Sequence, residues 1–265
     1  MNKNTFEKVK LNKGVVGVYD FGEIKLHACQ TNDPIDDEVF VVEKGGKAVL
    51  IESPCFFDNN KELEDYLSGQ RLEVAGMLLS YHMAGGSFLP NTKKYATKKA
   101  DEYGHEGGGR ALIYNFHVVF GDIFDHSIHT VTDYLTEGTT TIGGIDFRIT
   151  ETADAFDIEI PQINAVYTHM LGHDCHSIVA GENHADALIR QLQGYLKKGY
   201  TLILTSHYTP EDLKDVETKI AYLKNLKGIA SQSVDAEAFK AEVRKQYGDY
   251  SGENYLDMTA GFFFA

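Results

Sequence analysis

Cysteine is scarce and follows no pairing pattern. Cys29, Cys55 and Cys175 are odd in number, widely spaced and form no CxxC, which excludes a disulfide scaffold and fits reduced thiols. Positive charge is also short: 25 Lys and Arg stand against 39 Asp and Glu, a formal net charge of −14, so no electrostatic grip on nucleic acid or an anionic membrane is expected. No segment reaches the roughly 18 uninterrupted apolar residues that span a bilayer, and the opening MNKNTFEKVKLNKG has no run of secretory length. A cytoplasmic location is the expectation. The absence of a GxSxG elbow argues against an α/β serine hydrolase. Gly107-Gly108-Gly109 lacks the Lys-Ser/Thr of a phosphate loop and reads as a flexible cover near a cleft. What remains is a small-molecule substrate as partner, with a homo-oligomer left open.

What is present is a 43% hydrophobic chain, ample for a sizeable core. The first quarter reads as short strands at Val15 to Phe21, Glu23 to Cys29, Glu38 to Glu43 and Ala48 to Glu52, with Gly45-Gly46 as a hairpin turn. Lys61 to Leu67 reads as a helix burying Leu63, Tyr66 and Leu67, followed by an apolar strand from Val74. After a weaker stretch interrupted by a flexible HEGGGR, strands at Thr139 to Thr150, Phe156 to Ile160 and Asn164 to Tyr167 repeat the plan. Then come a helix from Ala185 to Leu196, a strand from Leu202 to Thr205, a helix start at Pro210-Glu211-Asp212 and a helical tail including Ala236 to Tyr247. No Pro/Gly-rich linker divides the chain, so one domain over residues 1–265 is expected, with a helical extension from about 209.

The most informative segment is LLSYHMAGGSFLPN, Leu78 to Asn91. A buried strand ends there, His82 occupies the turn, and Gly85-Gly86 marks close backbone approach before a helix. Two further histidine-bearing segments follow predicted strands: YTHMLGHDCHS, Tyr167 to Ser177, and ILTSHYTPED, which ends an apolar strand at His207.

Taken together, EVFVVEKGGKAVLIES, GMLLSYHMAGGSFLP, LTEGTTTIGGIDFRIT and ILTSHYTPED resemble the metallo-β-lactamase superfamily. The resemblance implies an α/β fold, an αββα sandwich with its site at the strand ends, and runs from about Val39 to Tyr208. Within the superfamily the chain is similar to the alkyl-sulfatase-like branch. Thr150-Glu151-Thr152-Ala153-Asp154, Ile160-Pro161, Ala165-Val166 and His169 follow that branch's order, with His173 and His176 as its HxxH. The departure lies in the chemistry, since Ser80 to Gly86 keeps only His82 of the superfamily's HxHxDH.

The resemblance aligns Glu151 with a first acidic ligand, His169 or Met170 with a second, and His207 with the terminal histidine. A catalytic zinc needs about three protein ligands and an open position. His82, Glu151, His169 and His207 are therefore the expected ligands of one zinc or iron ion, with His82 and His207 catalytic. A metal site built mainly from His173 and His176 is conceivable, since at i, i+3 they could share a helical face, with Asp174 and Cys175 as hard and soft ligands, while Asp154 is available beside Glu151. His126 and His129 are read as surface residues, and His27, His105, His117 and His184 as satisfied or solvated. Two functions stay open: a metal-dependent hydrolase with a reduced, mononuclear site acting on an ester-like bond, and a degenerate, non-hydrolytic ligand-binding or assembly protein.

Overall fold

The computed structural model describes residues 3–169 and 172–264. An antiparallel meander opens the chain: Glu7–Lys10 (β1), Val15–Asp20 (β2), Ile24–Gln30 (β3), Glu38–Lys44 (β4) and Lys47–Ile51 (β5). Gly45 and Gly46, both at positive φ, turn β4 into β5 as expected of a two-residue hairpin. Val39 to Val42 and Ala48 to Ile51 are fully buried. Such unbroken apolar runs belong to strands covered on both faces, and each buried aliphatic side chain contributes roughly 1.5–3 kcal/mol.

Helix Phe57–Gly69 (α1) buries Leu63, Tyr66 and Leu67, the face predicted, and crosses over to Glu73–Leu78 (β6), which pairs parallel with β5. Lys94–Thr97 (β7), Lys98–His105 (α2), Gly108–Phe120 (α3) and Asp133–Leu135 (β8) follow, completing an eight-stranded sheet in sequential order from β1 to β8. Two expectations need correction here. No helix starts after Gly85-Gly86: Gly85 N and Gly86 N instead donate to Asp125 O and Ser127 O, so this backbone lies along an extended segment. The close approach itself is real, because a Cβ on Gly85 would lie 2.2 Å from Pro54 O. Nor is HEGGGR simply a flexible cover: Gly107 caps α3, and Gly108 and Gly109 form its first turn against the Tyr103 ring.

Gly138–Ile142 (β9), Ile145–Glu151 (β10), Phe156–Ile160 (β11) and Ala165–Thr168 (β12) begin the second sheet. The sequence read as a single strand over Thr139 to Thr150 is a hairpin turning at Gly143-Gly144, both at positive φ. In β10, Ile145, Phe147 and Ile149 point inward while the residues between them are more exposed, the alternation of a strand with one covered face. After Glu182–Lys198 (α4), Leu202–Thr205 (β13) and Tyr208–Glu211 (β14) complete a six-stranded sheet in the order β14-β13-β12-β11-β10-β9. Pro210 and Glu211 end a strand, and the next helix, Leu213–Gln232 (α5), begins directly after Asp212, as the start signal led us to expect. Asp212 caps it reciprocally with Asp215.

The chain divides into two compact units: Met1–His169 with Leu204–Pro210, and Met170–Ile203 with Glu211–Ala265. In the second, α4 buries Ala185, Ile189, Leu192 and Tyr195 at helical spacing and packs on α5. Ala236–Gln246 (α6) packs on Glu253–Phe263 (α7), with Phe239 against Phe263 and Phe264, while Phe262 is half exposed. No described helix is long and apolar enough to cross a membrane. Two sheets and seven helices among the described residues make the α/β class the sequence led us to expect.

Candidate metal centre

Strand ends place three histidines. His82 follows β6, His169 directly follows β12, and His207 stands between β13 and β14. All belong to the first unit. Their ring centroids are 5.1–5.5 Å apart, and one nitrogen from each lies within 4.8 Å of the others.

The outer nitrogen of each ring faces a protein oxygen. His207 Nδ1 donates to Ile35 O at 3.1 Å, which fixes its tautomer, because a carbonyl can only accept. His169 Nδ1 bonds Ser206 Oγ at 2.7 Å. His82 Nδ1 faces Asp37 Oδ1 at 3.6 Å, and the same oxygen is 3.3 Å from His207 Nδ1. For His169 and His207 this arrangement can leave the Nε2 lone pair available for a cation, with the second nitrogen held by an oxygen that orients the ring, while His82 faces Asp37 without a hydrogen bond.

A buried carboxylate supports the frame. Glu52, directly after β5, sits at φ 64, a left-handed conformation that costs a non-glycine residue about 1–3 kcal/mol. Hydrogen bonds offset that cost: Glu52 accepts from the backbone N–H of Ser80, Tyr81 and His82 at 3.2, 2.9 and 3.1 Å. It also accepts from Tyr167 Oη at 2.5 Å, and that phenol meets Ser206 Oγ at 2.6 Å. With His169 Nε2 left free, the polarity runs from His169 Nδ1–H to Ser206, from Ser206 to Tyr167 and from Tyr167 to Glu52. One carboxylate therefore sets the His82 backbone directly and the His169 ring through two hydroxyls.

Burial determines the protonation of the set. It pushes His82 down to about 4 and His207 down to about 3, where neighbouring His82 adds to the effect. His169 is held well below the usual histidine range by burial and by the other two rings. Neutral imidazoles are what a metal requires. Burial raises the Glu52 carboxyl to about 7, against the hydrogen bonds from Tyr167 and the backbone that favour its charged form.

No family model matches the chain, and no curated protein does. Among solved structures it is similar to a metallo-β-lactamase from Erythrobacter litoralis, with TM-score 0.57 and 13% identity over 83% of this chain and 100% of that one. A metallo-β-lactamase from Pontibacter korlensis gives TM-score 0.53 and 16% identity over 83% and 100%. The sec-alkyl sulfatase PisA1 gives TM-score 0.64 and 13% identity over 92% of this chain and 49% of that one, so this chain spans about half the sulfatase's length. The chain has the metallo-β-lactamase fold.

Within this metallo-β-lactamase fold the donors present suit one ion held by three imidazoles. Glu151, at the end of β10, is not part of the histidine group and pairs with Lys99 Nζ at 2.8 Å. Met170 lies outside the described residues. Asp154 is exposed. His173 and His176 belong to the second unit and share no helical face, because the chain from 172 to 181 is a loop. His173 Nδ1 bonds Glu211 at 2.8 Å, and His176 Nδ1 bonds Tyr222 Oη at 2.8 Å. The buried Cys175 thiol donates to His176 O.

His126 is exposed as expected, but His129 is not a surface residue. It is 1% exposed and bonds Ser53 Oγ at 2.9 Å, because residues 125–129 are drawn in by the backbone of Met83 to Gly86. Sequence reasoning missed Asp37, Glu52 and Ser206 altogether. Ser206 adjoins His207 and Glu52 closes a strand, positions that could have drawn notice. Asp37 lies in NDPIDDE, where neighbouring carboxylates hide the buried one.

Proposed function

We propose that this protein is a metal-dependent hydrolase with a mononuclear three-histidine centre, acting on an ester-like bond of a small molecule. The observation that carries the reading is the convergence of His82, His169 and His207 with each Nδ1 turned to a protein oxygen. Zinc, or iron, suits such a nitrogen set, and when bound it supplies Lewis-acid chemistry and a nucleophile at neutral pH. The chain's own residues orient the site: Glu52 holds residues 80–82, Ser206 orients the His169 ring, and Asp37 lies behind His82 and His207. Tyr81 stacks on His169 at 4.4 Å and bonds Thr152 Oγ1, giving the centre an aromatic wall against which the apolar part of an ester can rest. The fold likeness to a sec-alkyl sulfatase and to metallo-β-lactamases adds support for hydrolysis, and the three buried thiols, none of them in a disulfide, support a reducing compartment such as the cytoplasm.

A non-hydrolytic, ligand-binding role is the second reading, carried by Ser80 to Gly86, which keeps only His82 of the HxHxDH motif. Metal analysis of tag-free protein separates the two. His207→Ala is expected to lower bound metal by one equivalent and abolish hydrolysis of a chromogenic ester, while His126→Ala changes neither. A metal-free protein whose stability ignores chelator would overturn the hydrolase reading.

A further inference from the structure

Behind the histidines the first unit buries a second group of donors with different chemistry. Asp33, Asp37 and Cys55 are 6%, 0% and 4% exposed, and one ligand atom from each lies within 4.8 Å of the others. The loop from Thr31 to Asp37 is tied down: Thr31 N and Oγ1 both donate to Asp37 O, and Asp33 Oδ1 accepts from Ile35 N and Asp37 N. Cys55, shortly after β5, brings its Sγ to 3.2 Å from Asp37 Oδ2.

Those bonds leave two carboxylate oxygens over. Asp33 Oδ2 and Asp37 Oδ1 are buried without a hydrogen bond, Asp37 Oδ1 facing only His82 Nδ1 and His207 Nδ1 at 3.6 and 3.3 Å, and among the described residues no lysine or arginine pairs with either side chain. Two carboxyls packed against a thiol in a dry interior are completed either by protons or by a cation, since an unpaired buried anion is among the costliest groups a fold can hold.

We propose that Asp33, Asp37 and Cys55 form a second cation site, a structural one, that takes zinc or a similarly thiophilic divalent cation through two carboxylate oxygens and one thiolate. Magnesium and calcium are excluded by their demand for all-oxygen shells, whereas zinc accepts sulfur and oxygen together. Binding displaces the Cys55 thiol proton, and any proton the two carboxyls hold, to solvent and forms the metal–sulfur bond, with no redox change. Asp37 would then have one carboxylate shared between the structural cation and the edge of the histidine centre. Filling this site would fix the group that lies against His82 and His207.

Cobalt(II) titration of the reduced, metal-stripped full chain tests the site, because thiolate ligation produces a sulfur-to-cobalt charge-transfer band in the near ultraviolet that imidazoles alone do not. The band is expected in the wild type and in His207→Ala, and is expected to vanish in Cys55→Ser and to need at least about tenfold more cobalt in Asp33→Asn. If either variant folds poorly, the wild type alone suffices. Zinc should slow alkylation of Cys55, mapped by mass spectrometry, at least tenfold relative to Cys29 and Cys175. No charge-transfer band at saturating cobalt, a band that persists in Cys55→Ser, or equal zinc protection of all three thiols would each overturn the proposal and leave a shared proton as the counter-charge. None of these outcomes bears on the metal lost with His207, so the two centres stand or fall separately.

Discussion

The phenol of Tyr167 donates to Glu52 Oε1 at 2.5 Å, and both side chains are fully buried. Through Ser206 the same phenol reaches the outer nitrogen of His169. Tyr167→Phe removes the middle of this chain while preserving the ring that packs edge-on to Phe40. It removes one of the two hydrogen bonds to Glu52 Oε1 and leaves the Ser206 hydroxyl without its acceptor, so a loss of about 1–3 kcal/mol in stability is expected. Metal affinity should fall about ten- to a hundredfold, the usual cost of losing an outer-shell partner. Chelator competition measures this, and an affinity equal to wild type would mean that the hydroxyl chain does not orient His169.

Glu151 and the histidines separate cleanly by mutation. Its carboxylate is engaged by Lys99 at 2.8 Å and takes no part in the histidine group. Glu151→Gln is therefore expected to leave metal stoichiometry and ester hydrolysis unchanged, whereas His169→Ala removes one equivalent. Loss of metal from the glutamine variant would restore Glu151 as a ligand and require the end of β10 to move.

The contrast between these residues explains what could be read from sequence. His82, His169 and His207 were legible because each follows an apolar strand, and strand ends are where α/β sheets gather ligands. Alternation and hairpin glycines likewise revealed β2 to β6 and β10 to β13, apart from the turn at Gly143-Gly144. Asp37 and Glu52 were not legible as supports, since burial of a carboxylate is decided by distant contacts, Cys55 for one and the N–H groups of residues 80–82 for the other. The short strands β7 and β8 have too few residues for periodicity to register, and they form because β6 offers a parallel edge. Nothing in a run of three glycines announces that Tyr103 will supply the surface on which α3 starts.

Two glycines give opposite expectations from the same substitution. Gly85 sits at φ +86, with Pro54 O only 2.2 Å from where a Cβ would be, and backbone cannot swing aside as a side chain can. Gly85→Ala should cost at least about 2 kcal/mol, from the left-handed conformation and the clash together, and displace the turn bearing His82. Gly194 lies inside α4 with nothing within 4 Å of its added methyl. Gly194→Ala should therefore stabilise the second unit by about 0.5–1 kcal/mol. Denaturant midpoints that shift in the same direction for both would refute the local geometry at one of them.

Acid sensitivity should trace in part to His129. Ser53 Oγ donates to Pro54 O, so it accepts from His129 Nε2–H, leaving Nδ1 as a buried nitrogen without a partner. Burial, with help from nearby Lys94, pushes this histidine down to about 3. The unfolded chain binds the proton near pH 6.5 and the folded chain refuses it until far lower. Stability contributed by the neutral ring is thus complete above about pH 6.5 and drains away as pH falls toward 3, at up to about 1.4 kcal/mol per pH unit. His129→Asn can keep a donor toward Ser53 but cannot titrate. Its denaturant midpoint should be lower than wild type at pH 7 and should fall less steeply between pH 6.5 and 4. If the two midpoints run parallel across that range, the proton is being taken up elsewhere and His129 is not the neutral, sealed group its surroundings describe.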